Sequence, residues 1–229
     1  MNIGVVLSGC GVYDGSEIQE AVSTFLAIEQ NGGDYVCFAP NIQQHHVINH
    51  KTGEETKDKR NVLEESARIA RGNISDISSA KVSLLDGLVI PGGFGAAKNL
   101  TKWAFEGPKG DIIPELRKLI IDMVADGKPV VGLCMGPTVI AKAFEGTGLT
   151  LKLTVGTTEE PSPYDIAEVN EGMEEAGALA VNCSIKEICV DKDNLVITAP
   201  CYMMDASILE VYNNTKMAID RMFEFLKNQ

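Results

Sequence analysis

Cys134 is the residue of this chain whose surroundings most favour chemistry. It lies in the stretch Gly132-Leu133-Cys134-Met135-Gly136, between an apolar run typical of a strand and a segment typical of a helix. The flanking glycines permit the sharp strand-to-helix turn of a nucleophile elbow. A thiol at such a corner faces the positive end of the helix dipole, which favours the thiolate. The spacing therefore predicts a reactive cysteine, and the alternative is a buried structural cysteine beside a tight turn.

Two further glycine-rich turns follow predicted strands. Gly9–Gly15 comes after the first strand and precedes Glu17 and Glu20, whereas Pro91-Gly92-Gly93-Phe94-Gly95 comes after the third strand. Because ligands bind at the carboxyl ends of parallel strands, we expect both turns to lie near Cys134. Backbone N–H groups of the paired glycines could stabilise an anion. The first turn lacks the Gly-x-Gly-x-x-Gly spacing, so no dinucleotide is expected there.

The hydrophobic pattern predicts strands that alternate with helices. This order is typical of an α/β three-layer sandwich, in which a mostly parallel sheet carries helices on both faces. No linker or change of composition divides the chain, so we expect a single domain over residues 1–229. The predicted strands are 3–7, 35–39, 84–90, 129–134, 149–154, 188–190 and 195–198, with a loop or hairpin at 43–60. The predicted helices begin at the N-caps Ser16, Asn61, Asp111, Asp165 and Asp205, with a further short helix at 137–144.

The composition argues against several classes of function. The 229 residues carry a formal net charge of −12, which disfavours nucleic acids and anionic membranes as partners. No apolar run approaches the length of a membrane span. The chain start shows no signal or presequence pattern, and the six cysteines form no Cys-x-x-Cys pair. We therefore expect a cytoplasmic protein without a zinc site of the cysteine type.

The three histidines, His45, His46 and His50, all lie in one polar segment. Adjacent histidines in such a segment are more often solvated than metal-bound, so no metal site is expected. No histidine follows the elbow cysteine. A glutaminase of the class I amidotransferase type needs a histidine base beyond its nucleophile. That activity is therefore not expected unless a loop histidine folds across to the cysteine.

The elbow and the Pro91–Gly95 turn resemble those of the ThiJ/PfpI superfamily. Four longer segments of the sequence are similar to those of the ElbB branch of this superfamily. Members of that branch are described as enhancing lycopene biosynthesis proteins and glyoxalases. The resemblance spans nearly the whole chain and implies a fold like that of the class I glutamine amidotransferases, which is flavodoxin-like. The strings that carry it are Leu7–Ile18, Val47–His50, Arg60–Leu63 and Pro91–Leu100.

The resemblance implies roles for matching residues. Cys134 would be the nucleophile, and a glutamate from the start of the first helix would hydrogen-bond its sulfur. Counting through the sequence leaves both Glu17 and Glu20 open. There is a slight preference for Glu17, because it lies on the side of Ala21 and Ile28 and is expected to face the sheet, whereas Glu20 is expected to lean outward. The backbone N–H groups of Gly93 and Met135 would form the oxyanion hole.

Two more residues are expected at the binding site. Gly92 belongs to the same glycine pair as Gly93. Thr157 lies in the region where many relatives carry a histidine, and its hydroxyl could donate a hydrogen bond but is no general base at neutral pH. The missing histidine is the main departure of this chain from the superfamily pattern.

The activity implied is that of a cofactor-free glyoxalase. The Cys134 thiolate would add to glyoxal or methylglyoxal, the glutamate would move a proton between carbons, and water would release a 2-hydroxy acid. The implied partners are a small aldehyde and a second copy of the chain. The alternatives are a redox sensor, in which Cys134 is oxidised to sulfenic acid and Cys10 resolves it, and a regulatory role in isoprenoid biosynthesis.

Overall fold

A computed structural model describes residues 1–228 and contains a central sheet wrapped by helices. The strands are β1 (Asn2–Val6), β2 (Asp34–Ala39), β3 (Ile48–Asn49), β4 (Glu54–Glu55), β5 (Ile74–Asp76), β6 (Gly87–Ile90), β7 (Val130–Leu133), β8 (Lys152–Gly156), β9 (Leu179–Asn182), β10 (Cys189–Asp191) and β11 (Val196–Ala199). The α-helices are α1 (Ile18–Gln30), α2 (Val62–Ile69), α3 (Trp103–Glu106), α4 (Pro114–Ala125), α5 (Gly136–Phe144), α6 (Ile166–Glu175) and α7 (Ile208–Lys227).

The central sheet has seven strands in the order β10-β11-β7-β6-β1-β2-β5 within the described chain. All neighbouring pairs are parallel except β10 and β11, which form the antiparallel hairpin predicted for residues 188–198. The inner strands β6 and β7 are buried along their whole length. This explains their apolar sequences, because a parallel strand covered on both faces has no polar side. The predicted mostly parallel sheet is therefore confirmed.

Helices cover both faces of this sheet, which confirms the three-layer sandwich. The helices α1 and α7 pack against each other on one face, whereas α4 and α5 pack together against the other. Right-handed crossovers from β1 to β2 and from β6 to β7 run in opposite directions across the sheet, so they place α1 and α4 on opposite faces. None of the helices within residues 1–228 is both long enough and apolar enough to cross a membrane.

Two small sheets lie outside the central one. The predicted strand at 149–154 forms as β8, but it pairs in parallel with β9 rather than joining the central sheet. The strand β9 was not predicted from the sequence. The segment 43–60 contains the two-residue strands β3 and β4, which pair as a short hairpin. This agrees with the loop or hairpin expected there.

Three of the predicted helix caps are wrong by one or two residues. The side chain of Asn61 accepts the Glu64 N–H and that of Asp165 accepts the Glu168 N–H, as predicted. The first helix is instead capped by Glu17, the fourth begins at Pro114 without a side-chain cap, and the last is capped by Ser207. Ser207 outcompetes Asp205 because it forms a complete capping box with Glu210. Ser16 is unavailable as a cap because its hydroxyl accepts the Ser8 N–H at 2.8 Å.

Candidate active site

Cys134 occupies a strained corner between β7 and α5. Its φ is +55°, a left-handed value that is uncommon for a residue with a side chain. A Cβ atom at the neighbouring Gly136 would lie 2.4 Å from the carbonyl oxygen of Ile90, so this position must be glycine. The Cys134 side chain is 5 % exposed, and its surface lines a cavity. The geometry is that of the predicted nucleophile elbow.

The two glycine-rich turns lie directly beside this corner, as the sequence predicts. Backbone hydrogen bonds tie them together, because Glu17 N–H donates to the carbonyl of Gly92 at 3.0 Å and Gly95 N–H donates to that of Gly15 at 2.8 Å. A Cβ atom at Gly92 would lie 2.3 Å from the Cβ of Cys134. The absence of a side chain at Gly92 is therefore what lets the two strand ends approach.

Glu20, rather than the preferred Glu17, contacts the cysteine. The Glu20 side chain is completely buried, and its carboxyl group hydrogen-bonds the side chain of Cys134. Its Oε2 accepts the Gly92 N–H at 3.0 Å and its Oε1 accepts the Tyr202 N–H at 3.2 Å. These bonds hold the carboxyl group at the sulfur.

The preference for Glu17 was wrong because this residue is the N-cap of α1 and lies outside its first turn. Its backbone is extended, and its carboxylate folds back to accept the Glu20 N–H at 2.6 Å. Residues outside the helix do not follow its periodicity, so the expected position of Glu17 beside the sheet does not hold. The expectation that Glu20 leans outward was also wrong, because its side chain is completely buried, and Ser23 and Thr24 are also buried one turn further along the same face of α1.

Burial changes the protonation of both partners. Desolvation, followed by the nearby Glu17 carboxylate, raises the pKa of Glu20 to about 8. At neutral pH this carboxyl group is therefore mostly protonated. Desolvation and the charge of Glu20 raise the pKa of Cys134 well above its usual range, while N–H groups of Gly93 and Met135 lower it. Burial thus opposes the thiolate that the helix terminus was expected to favour.

The expected oxyanion donors lie at the sulfur. The N–H groups of Gly93 and Met135 both point towards Cys134. Gly93 adopts a φ of +92°, and a Cβ there would lie 2.4 Å from the backbone nitrogen of Glu17. The N–H group of Gly92 is not free to bind a ligand, because it already donates to the Glu20 carboxyl group. Of the three expected N–H groups, those of Gly93 and Met135 therefore donate to the sulfur of Cys134, and that of Gly92 does not.

A cavity of about 420 Å³ opens from the sulfur. Most of its large side chains are aromatic, and none of them was predicted from the sequence to contact a ligand. They come from segments far apart in the chain, which no local pattern could bring together. The aromatic residues that line the cavity are Phe94, Trp103, Phe105, Tyr164 and Tyr202.

Two tyrosines, and not Thr157, bring hydroxyl groups to this cavity. The hydroxyl of Tyr202 donates to the side chain of Gln19, whereas Tyr164 has no such partner among the side-chain bonds of the described residues. Burial, and then charges on Cys134 and Glu20, raise the pKa of Tyr164 to about 12, so the phenol is neutral and can donate a proton in a hydrogen bond. Thr157 lies outside the cavity lining, and its hydroxyl accepts the Glu159 N–H at 3.2 Å. Thr157 therefore does not border the cavity that opens at Cys134.

The histidines do not reach the cysteine. No histidine lines the cavity in the described structure. The rings of His45 and His46 pack on Phe105, with centroid distances of 4.1 and 5.4 Å, and His50 packs on Tyr13. Within residues 1–228, no group of three or more histidine, cysteine, aspartate or glutamate side chains is placed to hold a metal ion.

A second thiol lies beside Cys134, but it is not Cys10. The groups that act on Cys10 include Glu65 and Arg68 and not Cys134. Cys201 is instead in hydrogen-bond contact with the Cys134 backbone N–H. Its sulfur lies 3.5 Å from the hydroxyl of the buried Thr215. Cys201 therefore replaces Cys10 as the thiol nearest to the elbow.

The sequence is 35 % identical over 224 residues to the human glutamine amidotransferase-like class 1 domain-containing protein 3, mitochondrial, covering 97 % of this chain and 82 % of that protein. The chain belongs to the glutamine amidotransferase-like class 1 family. A crystal structure of an isoprenoid biosynthesis protein with amidotransferase-like domain from Ehrlichia chaffeensis matches it with a TM-score of 0.89 and 34 % identity, over 99 % of both chains. No family model matches the chain.

More distant solved structures share only the fold with this chain. Drosophila melanogaster DJ-1beta matches with a TM-score of 0.54 and 16 % identity, over 99 % of this chain and 91 % of that one. The name of the family refers to a glutaminase-like domain. In this chain the elbow cysteine is paired with a buried glutamate and not with a histidine.

Proposed function

We propose that this protein is a cofactor-free glyoxalase-type lyase of the ElbB branch, which converts a 2-oxoaldehyde to a 2-hydroxy acid. The observation that carries the proposal is the pair of Cys134 and Glu20 at the base of an open cavity. A carboxyl group with a pKa of about 8 is matched to proton transfer near neutral pH, as a general base and then as an acid.

The reaction begins when the carboxylate form of Glu20 takes the thiol proton. The Cys134 sulfur then bonds to the aldehyde carbon, and the carbonyl oxygen becomes an oxyanion that accepts the N–H groups of Gly93 and Met135. Glu20 returns the proton to this oxygen, which gives a hemithioacetal. The hydroxyl of Tyr164 is a third donor for the same oxygen.

The second stage moves hydrogen between two carbons. Glu20 removes the proton from the former aldehyde carbon, and the electron pair passes into an enediol. The same carboxyl group protonates the neighbouring carbon, so the intermediate becomes a thioester of a 2-hydroxy acid. Water cleaves the thioester, which releases the acid and restores the Cys134 thiol. One water is consumed for each aldehyde, and no external oxidant or reductant is needed.

The first test is the production of lactate from methylglyoxal by the purified protein. We expect turnover by the wild type and none above background for Cys134→Ala. The Cys10→Ala variant is the matched control, because Cys10 has no contact with the pair, and it should keep full activity. Lactate formation that is equal in the wild type and Cys134→Ala would contradict the proposal.

A redox role is a second candidate, favoured by the position of Cys201. A peroxide would transfer one oxygen to the Cys134 thiolate, giving a sulfenic acid, and the Cys201 thiol would attack that sulfur and expel water to form a disulfide. Peptide mapping after peroxide treatment should find Cys134 linked to Cys201, and Cys201→Ser should stop at the sulfenic acid. Linkage to Cys10, or equal oxidation of all cysteines, would contradict this role.

The regulatory alternative in isoprenoid biosynthesis has weaker support. It derives from the resemblance to the ElbB branch and from the name of the similar Ehrlichia protein. Isoprenoid precursors are diphosphates, which proteins bind with cationic side chains or helix N-termini. The cavity lining contains no lysine, arginine or histidine in the described structure. A direct contact between this cavity and a diphosphate is therefore disfavoured.

We also propose the homodimer and the cytoplasmic location as working expectations. The helix α1 exposes a stripe of Ile18, Val22 and Leu26, which are 43 %, 50 % and 46 % exposed at four-residue spacing. Such a stripe is suited to a second copy of the same helix. Val22→Glu should convert a dimer to a monomer in light scattering, and a monomeric wild type would contradict the proposal.

The cytoplasmic location is supported by the cysteines. All six are free within residues 1–228, which suits a reducing compartment.

A further inference from the structure

The cavity beside Cys134 is larger than methylglyoxal requires. Its volume of about 420 Å³ falls in the range of pockets that enclose drug-sized ligands, roughly 300–1,000 Å³. A three-carbon aldehyde would leave most of this space to water. The size therefore indicates that the physiological substrate carries a further group behind the reacting aldehyde.

The walls indicate that this group is flat and apolar. Trp103 is 8 % exposed, and a Cβ at Gly172 would lie 2.8 Å from its ring, so the glycine on α6 allows the indole to pack closely against that helix. Phe94 and Tyr164 meet edge to face with their ring centroids 5.8 Å apart. Aromatic rings held in this way present preformed surfaces for stacking another planar group.

The charges of the lining indicate which substrates are excluded. Among residues 1–228, the charged side chains that line the cavity are those of Asp165 and Glu168, at the start of α6. No lysine, arginine or histidine of the described structure lines the cavity to neutralise a carboxylate or phosphate. An anionic group would therefore meet like charge in a partly desolvated space, whereas a neutral or cationic group would not.

We propose that the substrate is a 2-oxoaldehyde whose second carbon carries a bulky, planar, apolar group without negative charge. This inference rests on the proposed lyase function and names the substrate class of the same site. Aryl-substituted 2-oxoaldehydes represent the class, and phenylglyoxal is its simplest member. Methylglyoxal is then a minor substrate that contacts only the part of the cavity next to Cys134.

Binding can be tested separately from turnover because Trp103 is the single tryptophan of the chain. Acetophenone is an unreactive probe of the apolar group, and benzoylformate is the same ring with a carboxylate. We expect acetophenone to change the Trp103 fluorescence with saturation in both the wild type and Cys134→Ala, and benzoylformate to bind at least about tenfold more weakly. Equal binding of the two probes, or no saturable change with acetophenone, would overturn the inference.

Turnover is compared with phenylglyoxal and methylglyoxal, after subtraction of the rate with Cys134→Ala. The extra apolar contacts predict a kcat/KM about 10- to 200-fold higher for phenylglyoxal. The variant Phe105→Ala shortens an exposed side chain of the cavity lining, and it should lower the ratio of the two kcat/KM values towards one. A ratio near one in the wild type would overturn the substrate class and leave the lyase intact. Saturable acetophenone binding without turnover of either aldehyde would support the ligand class and overturn the lyase.

Discussion

The floor of the cavity and its walls are built in different ways. The floor consists of Cys134 and Gly93, which line the cavity, together with Gly92 and the Glu20 carboxyl group, which are buried directly behind them and joined by the Gly92 N–H bond to Glu20. The walls consist of aromatic side chains from α3 and from irregular segments, and several of them are partly exposed. The floor therefore sets which bonds can be made, whereas the walls decide which molecules reach it. Substitutions should separate these two roles.

The largest effect is expected from Glu20→Gln on the floor. Loss of the proton-transferring group should lower kcat by about 10²- to 10⁴-fold. An amide also leaves either the Gly92 or the Tyr202 N–H unsatisfied, which should cost about 1–3 kcal/mol of stability. Both quantities are measured, by lactate formation and by urea unfolding.

Glu17→Gln is the matched control for this substitution. It lies three residues away and caps the helix, so its amide should cost about 1 kcal/mol or less of stability and should reduce kcat much less than Glu20→Gln. Equal losses of activity in the two variants would mean that Glu20 has no special role. The two glutamates would then contribute equally to turnover, and the contact of Glu20 with Cys134 would not matter for it.

Gly92→Ala should damage the floor by steric overlap alone. The new Cβ would lie 2.3 Å from the Cβ of Cys134 and 2.7 Å from its sulfur, so the elbow must shift. We expect a loss of about 1–3 kcal/mol in the free energy of unfolding and a strong loss of turnover in the protein that stays folded. Wild-type activity in this variant would show that the close approach of the two strand ends is not required.

Tyr164→Phe should give a smaller effect, because it changes one hydroxyl in a wall. The ring and its contact with Phe94 are kept, and only the donor to the adduct oxygen is lost. We expect kcat to fall about tenfold, which corresponds to about 1.4 kcal/mol, with unchanged stability. A loss of kcat equal to that of Glu20→Gln would show that Tyr164 takes part in the chemistry as directly as Glu20 does.

The same division explains what the sequence could predict. The elbow, the glycine pair and the caps Asn61 and Asp165 follow from local rules for strand ends and helix starts, and the structure bears them out. The preference for Glu17 over Glu20 was wrong because it depended on the residue at which α1 begins. The N-cap of this helix is Glu17, one residue later than predicted, and Glu20 is the glutamate that contacts the sulfur.

The walls could not be predicted, because their geometry is not local. Trp103 follows an irregular helical turn at Ala96–Leu100, and its ring is positioned by a glycine on α6. Tyr164 lies in the loop before α6, where no periodic pattern fixes the chain. Cys201 reaches the elbow only because β11 pairs with β7 in the sheet. Contacts of this kind depend on the assembled topology.

The central claim is that Cys134 and Glu20 react as one pair that must lose a proton. Its most direct test is the pH dependence of kcat/KM for methylglyoxal between pH 6 and 10. Because the folded-state pKa of Glu20 is raised to about 8, the active form is scarce below that pH and increases through it. We predict that kcat/KM of the wild type rises with an apparent pKa near 8, and that the weak residual activity of Glu20→Gln lacks this transition. The same transition in Glu20→Gln, or a wild-type profile that is flat across this range, would contradict the account.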